Sequence, residues 1–157
     1  MWTIRERIDS SGGAAAGATL TLTFDQRRRS RLRTKLDGGT EVALVLPRGT
    51  LLRDGDCLRA ETGLVIAVRA APERLSTART GDARLLARAC YHLGNRHIPV
   101  QVGDGWARYQ HDHVLDHMVA ELGLSVDVAS LPFEPEAGAY AGGDHHEHHD
   151  HHDHHQP

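Results

Sequence analysis

The sequence predicts an α+β chain built from two small domains, all-β first and mixed second, followed by a tail with no fold of its own. Three observations carry this expectation. Short alternating apolar runs separated by turn signals fill the chain up to about residue 71. Helical spacing of apolar residues appears only beyond that point. Eight of the 13 histidines crowd into the last stretch, 144–155. The expected boundaries are 1–71, 72–133 and 134–157.

In the first domain, Leu20, Leu22 and Phe24 alternate with Thr21 and Thr23, the period-2 mark of a strand with one buried face. A second strand over 31–36 meets Asp37-Gly38-Gly39, a hairpin signal. Residues 41–46 form another strand that runs into Pro47-Arg48-Gly49, and Asp54-Gly55-Asp56 marks a further turn. The apolar run 64–68 is too short for a helix.

In the second domain, a strand over 73–78 leads to Asp82. That residue can cap a helix carrying Leu85, Leu86, Ala89 and Leu93, with Gly94 as its stop. Residues 98–102 and 106–109 read as strands joined by a Gly103-Asp104-Gly105 turn. Asp112 caps a second helix through Val114, Leu115, Met118 and Leu122, ended by Gly123, and Val126 and Val128 form a last strand. The order βαββαβ is the ferredoxin-like arrangement, a sheet with two helices on one face. After Phe133 periodicity ends. Residues 134–143 are rich in Pro, Gly and Ala and read as a linker, and the histidine tail has nothing apolar to bury, so it is expected to be disordered without a bound ligand.

At 157 residues, 39% hydrophobic and 25% charged, the chain has a globular composition. Two such small domains bury little surface each, which predicts an oligomer. Cys57 and Cys90 lack metal or redox spacing and are expected as small buried residues in a reducing compartment. The segment MWTIRERIDS lacks the apolar core of a signal peptide, and no run approaches a membrane span, so a cytoplasmic protein without membrane association is expected. Four of the 21 acidic residues, Asp144, Glu147, Asp150 and Asp153, lie in the tail; the body is nearly neutral and the net charge of −3 says little about nucleic acid. The basic run RRRSRLRTK, 27–35, is a single stripe without interleaved aromatics. It reads as a solvated strand face, or a docking surface for an acidic protein, and no nucleic-acid partner is expected.

Metal binding is the chemistry the histidines suggest. Neutral imidazole suits nickel, zinc and copper, and the tail offers His145, His146, His148, His149, His151, His152, His154 and His155 between carboxylates. The irregular acid-broken pattern argues against a purification tag. A second cluster, QHDHVLDH, contributes His111, His113 and His117; His113 and His117 are four apart and share a helix face, which otherwise reads as a solvated one. The segment is superficially close to the HxHxDH motif of binuclear zinc hydrolases, but Val114 and Leu115 push Asp116 and His117 out of register. No further His/Asp array completes such a site, and there is no GxSxG or P-loop, so no enzyme is expected. In YHLGNRH, His92 falls in a helix's last turn, where a local capping role accounts for it, and His97 opens a strand.

YHLGNRHIPVQV, RYQHDHVLDHM, LGLSV and LPFEPEAGAY, followed by a histidine-rich end, resemble the UreE nickel metallochaperones of urease assembly. LDGGTEVALVLPRGTLLRDGD resembles that family's N-terminal domain. The resemblance spans nearly the whole chain. It implies a partner-binding N-terminal domain, a metal-binding domain that dimerises, and His97 as a central ligand given by each protomer near a two-fold axis. It further implies His111 and His113 as peripheral ligands. His117 lies outside the family pattern. The implied cargo is Ni(II), with Zn(II) or Cu(II) able to bind the same donors. The implied partners are the urease apoprotein and its accessory proteins, including the GTPase. Such ligands must be neutral, so affinity falls as pH drops through the ordinary histidine range, about 6.5. A passive histidine-rich store for nickel, zinc or copper is the alternative; it needs no ordered site outside the tail.

Overall fold

The computed structural model describes residues 1–9 and 15–138, so the eight tail histidines lie outside the described residues. The chain is mixed α+β, mostly strands with few helices, in two domains. In order, the elements are β1 (Trp2–Ile8), β2 (Ala18–Leu22), α1 (Phe24–Arg27), β3 (Arg31–Lys35), β4 (Glu41–Val45), β5 (Cys57–Ala60), β6 (Val65–Ala70), β7 (Pro72–Arg79), α2 (Ala83–Asn95), β8 (Gln101–Gly103), β9 (Trp106–Gln110), α3 (His113–Leu122) and β10 (Ser125–Pro132). No described helix is long and apolar enough to cross a membrane.

The first six strands form one sheet in the order β2-β6-β5-β1-β4-β3. Its core is the inward face of the alternating runs: Ile4, Leu20, Leu22, Val42, Leu44, Leu58, Ile66 and Val68 are buried. The β3–β4 hairpin turns at Gly39, whose φ of 93° suits a residue without Cβ. The strand expected through Phe24 stops at Leu22. Thr23 accepts from the Gln26 backbone N–H at 3.3 Å while the Gln26 side chain takes the Thr23 N–H at 3.0 Å, a reciprocal cap that starts α1 instead.

The last four strands form a second, wholly antiparallel sheet in the order β10-β7-β9-β8. Both helices contribute to one core against it: Ala89 and Leu93 of α2 and Leu115 and Val119 of α3 meet Ala78 and Tyr109. β10 pairs with β7 over its full length, from Ser125 opposite Arg79 to Pro132 opposite Pro72. Cys57 and Cys90 are free and half-buried rather than fully buried as expected, and burial pushes the Cys90 thiol up.

The domains meet at a small apolar cluster of Phe24, Leu75 and Phe133, with the two phenylalanine rings edge to face. Beside it sits Arg27, which corrects the reading of its basic run as a solvated face: the side chain is wholly buried. It donates to the carbonyls of Leu22 at 3.3 Å and Leu52 at 3.2 Å, to the Phe133 carbonyl, and to Glu134 Oε1 at 2.6 Å. Arg31, Arg33 and Lys35 do face solvent, on the edge strand β3.

Removing a buried charged donor orphans several acceptors at once. Arg27→Ala should therefore lower unfolding free energy by about 3 kcal/mol. Arg27→Lys should recover only part, since an ammonium lacks the planar fork. Urea unfolding of the two variants reads both effects.

Candidate metal centre

Three segments bring the expected body ligands into place. The first is the end of α2. Asp82 opens that helix by accepting from the Arg84 and Leu85 N–H groups at 2.9 and 3.2 Å. Gly94 is not its stop: the helix continues to Asn95, and the left-handed turn falls on His97, with φ of 57°. His97 is the one non-glycine residue with positive φ among the described residues. Its N–H donates to the Gly94 carbonyl at 2.9 Å, closing the last turn. Glycine adopts that conformation without strain, whereas a side chain there costs about 1 kcal/mol. A histidine at this point is not explained by folding, and it is exposed.

The second segment follows directly. Residues 98–100 run without regular pairing into β8, and the Glu136 N–H holds Val100 through its carbonyl at 2.8 Å. The third is the junction of β9 and α3. The His111 N–H donates to the Arg74 carbonyl at 3.0 Å, and Asp112 then caps α3 by accepting from Val114 and Leu115. Those bonds, from Leu115 and then Val114, hold the Asp112 carboxyl below the ordinary carboxylate range. A shallow cavity of about 180 Å³ is lined by Ile98, Pro99, Gln110, His111, Asp112 and Leu115. The segment that follows His97 thus lies against His111. A larger hollow, around Met1, Arg31 and Arg33 in the first sheet, offers no metal-ligating side chain.

Besides His97, the four remaining body histidines differ in their surroundings. His111 is half-buried. Its Nδ1 lies 3.0 Å from Asp116 Oδ2 and 3.0 Å from Ser76 Oγ. Behind it, the Tyr109 hydroxyl donates to Asp116 Oδ1 at 2.7 Å. Burial first, and Asp116 second, push that phenol well above its ordinary range, so it stays a donor. His113, the first residue of α3, is exposed. His117, one turn on, is exposed too and lies 3.1 Å from Glu121 through Nε2, a surface pair of little energetic weight. His92 stacks edge-on against Tyr91.

Among the described residues, no three His, Cys, Asp or Glu side chains converge as a set that could hold a metal ion. One chain therefore brings His97's segment and His111 near one cavity but does not assemble His97, His111, His113 and His117 into a single centre. Sequence reasoning passed over Asp116 and Tyr109 as partners of His111. The available signal was an acid in the first turn of the helix that follows that histidine.

The chain also matches known proteins along its length. Residues 4–71 match the family model of the UreE urease accessory protein N-terminal domain, and residues 73–156 that of its C-terminal domain. A urease accessory protein UreE of Alkalilimnicola ehrlichii is 56% identical over 142 residues, covering 90% of this chain and 86% of that protein. One of Vibrio parahaemolyticus is 56% identical over 132 residues, 80% of this chain and 83% of that protein. One of Pseudomonas putida strain GB-1 is 52% identical over 146 residues, 92% of this chain and 88% of that protein.

By relieving the left-handed strain at this position, His97→Gly should stabilise the fold by about 1 kcal/mol. A guanidinium unfolding curve that moves the other way would show that the histidine side chain contributes to folding after all.

Proposed function

The chain belongs to the UreE family of urease accessory proteins, a chaperone family rather than an enzyme family, and on that premise we propose that it carries Ni(II) to the urease apoprotein during assembly of the urease metal centre. The observation that carries this reading is His97, exposed on a strained left-handed turn where folding would favour glycine. A single imidazole is a poor site. In a homodimer closed by a two-fold axis the same residue appears twice, and one histidine per chain becomes a pair. A pair leaves coordination positions open for other donors, which suits handover.

In this reading His97 is the central ligand, His111 and His113 are peripheral ones, and His117 adds a further imidazole on the α3 surface. The tail histidines, from His145 to His155, are accessory donors. Zinc or copper competes for the same nitrogens, since donor type alone does not select nickel. We assign residues 1–71 to protein partners, including the urease apoprotein and the GTPase that works with it. Residues 72–133 form the metal-binding and dimerising domain. The strand order β10-β7-β9-β8 with two helices on one face supports reading it as ferredoxin-like. The place of action is the cytoplasm, beside the apoenzyme.

Equilibrium dialysis against nickel tests the reading on protein ended after Gly143, with and without His97→Ala. The expected result is about one tightly held nickel per dimer, abolished by His97→Ala. Loss of all tight binding on truncation alone would leave the folded body without a site, and the passive store would replace the carrier.

A further inference from the structure

His111 differs from the other body histidines in what stands behind it. Its Nδ1 faces the Asp116 carboxylate, that carboxylate accepts a hydrogen bond from the Tyr109 hydroxyl, and Tyr109 and Ser76 are both fully buried in the second sheet. The His111 side chain itself is 28% exposed and lines the cavity beside Ile98 and Pro99. No hydrogen bond engages its Nε2 among the described residues. His117, by contrast, has its Nε2 turned to Glu121 on an open surface, where the pair is 75% and 70% exposed.

We propose that Asp116 is a positioning residue for metal capture, holding His111 in the tautomer that carries its proton on Nδ1 and offers the Nε2 lone pair to the metal. The proposal rests on the carrier reading above and adds a residue to it. The tautomer follows from the two partners of Nδ1. A carboxylate oxygen only accepts, so an unprotonated Nδ1 at 3.0 Å would set lone pair against lone pair. The Ser76 hydroxyl can serve as donor or acceptor and adapts to either case. The Asp116 carboxylate, close against Nδ1 and able only to accept, favours the proton on that nitrogen and so decides its place. Tyr109 fixes the carboxylate from behind. Its rigid seat in β9 makes the arrangement pre-formed rather than induced. A ligating imidazole whose other nitrogen donates to a carboxylate is oriented and made more basic, and loss of such a partner weakens metal binding by about 10–100-fold.

The test reads the tautomer directly in the metal-free, full-length protein, by long-range proton–nitrogen correlation of 15N-labelled histidine above the imidazole titration range. His111 is assigned by its disappearance in His111→Gln. The expected pattern is a protonated Nδ1 and a free Nε2, opposite to the preference of a free imidazole side chain. Asp116→Ala should return His111 toward the free preference, with the circular dichroism of the helices unchanged. In the same samples, the nickel concentration that broadens the His111 ring signals should rise by about 10–100-fold in Asp116→Ala. A wild-type His111 protonated on Nε2 overturns the proposal, whatever the metal does. So does an Asp116→Ala variant in which tautomer and broadening stay as they were. The His97 signals in the same titration report separately on the carrier reading. If they fail to respond to nickel while His111 keeps its Nδ1 proton and its response, that reading falls and the role of Asp116 stands.

Discussion

The buried guanidinium of Arg27 is the contact on which the geometry of both domains depends. Its four acceptors come from three separate stretches: the end of β2, the loop at Leu52, and the Phe133–Glu134 segment after β10. Burial, chiefly, pulls the guanidinium's pKa down, and Glu134 beside it opposes that pull. A charge in such a place is tolerated because four of its five N–H donors are engaged, one of them by a carboxylate. Glu134 in turn takes the Asp54 N–H at 3.0 Å and the Arg53 guanidinium at 3.1 Å, while its own N–H reaches Gln101 Oε1 at 3.1 Å. Two residues later, Glu136 holds Val100. The clamp thus runs from the first sheet to the segment that follows His97, alongside the apolar cluster of Phe24, Leu75 and Phe133.

Much of this was legible in the sequence because it follows from local chemistry. Asp82 and Asp112 cap the two long helices, Gly123 closes the second with φ of 111°, and Gly105 turns the β8–β9 hairpin. The failures are tertiary. β1 was not read because Arg5, Glu6 and Arg7 hide its alternation and only Ile4 is fully buried. β5 has four residues, too few for a period to register. Arg27 looked like one more cation in a basic run, and nothing in its neighbours in the chain announces the acceptors that lie 25 and more than 100 residues away.

The candidate site shows the same division. Helical spacing placed His113 and His117 together, and the structure sets both on the exposed surface of α3. His97 was singled out by family resemblance and not by residue physics, since a positive φ leaves no mark on a non-glycine position. Gly94, three residues earlier, drew the helix stop to itself. Asp116 was seen only as a misplaced member of a hydrolase motif, because its contact with His111 needs the bend between β9 and α3 to bring residues five apart face to face.

The pairing of Pro72 with Pro132 has a consequence for how such a chain can be rearranged. The second sheet begins and finishes at adjacent points, so everything between them is one loop whose ends are already closed. Joining those ends, or splicing the unit into another host, asks for almost no additional loop-closure entropy. The segment is in that sense a cassette: genetic exchange can lift it out or give it a new companion without unthreading its sheet, provided the new companion supplies a buried acceptor set or donor in place of Arg27.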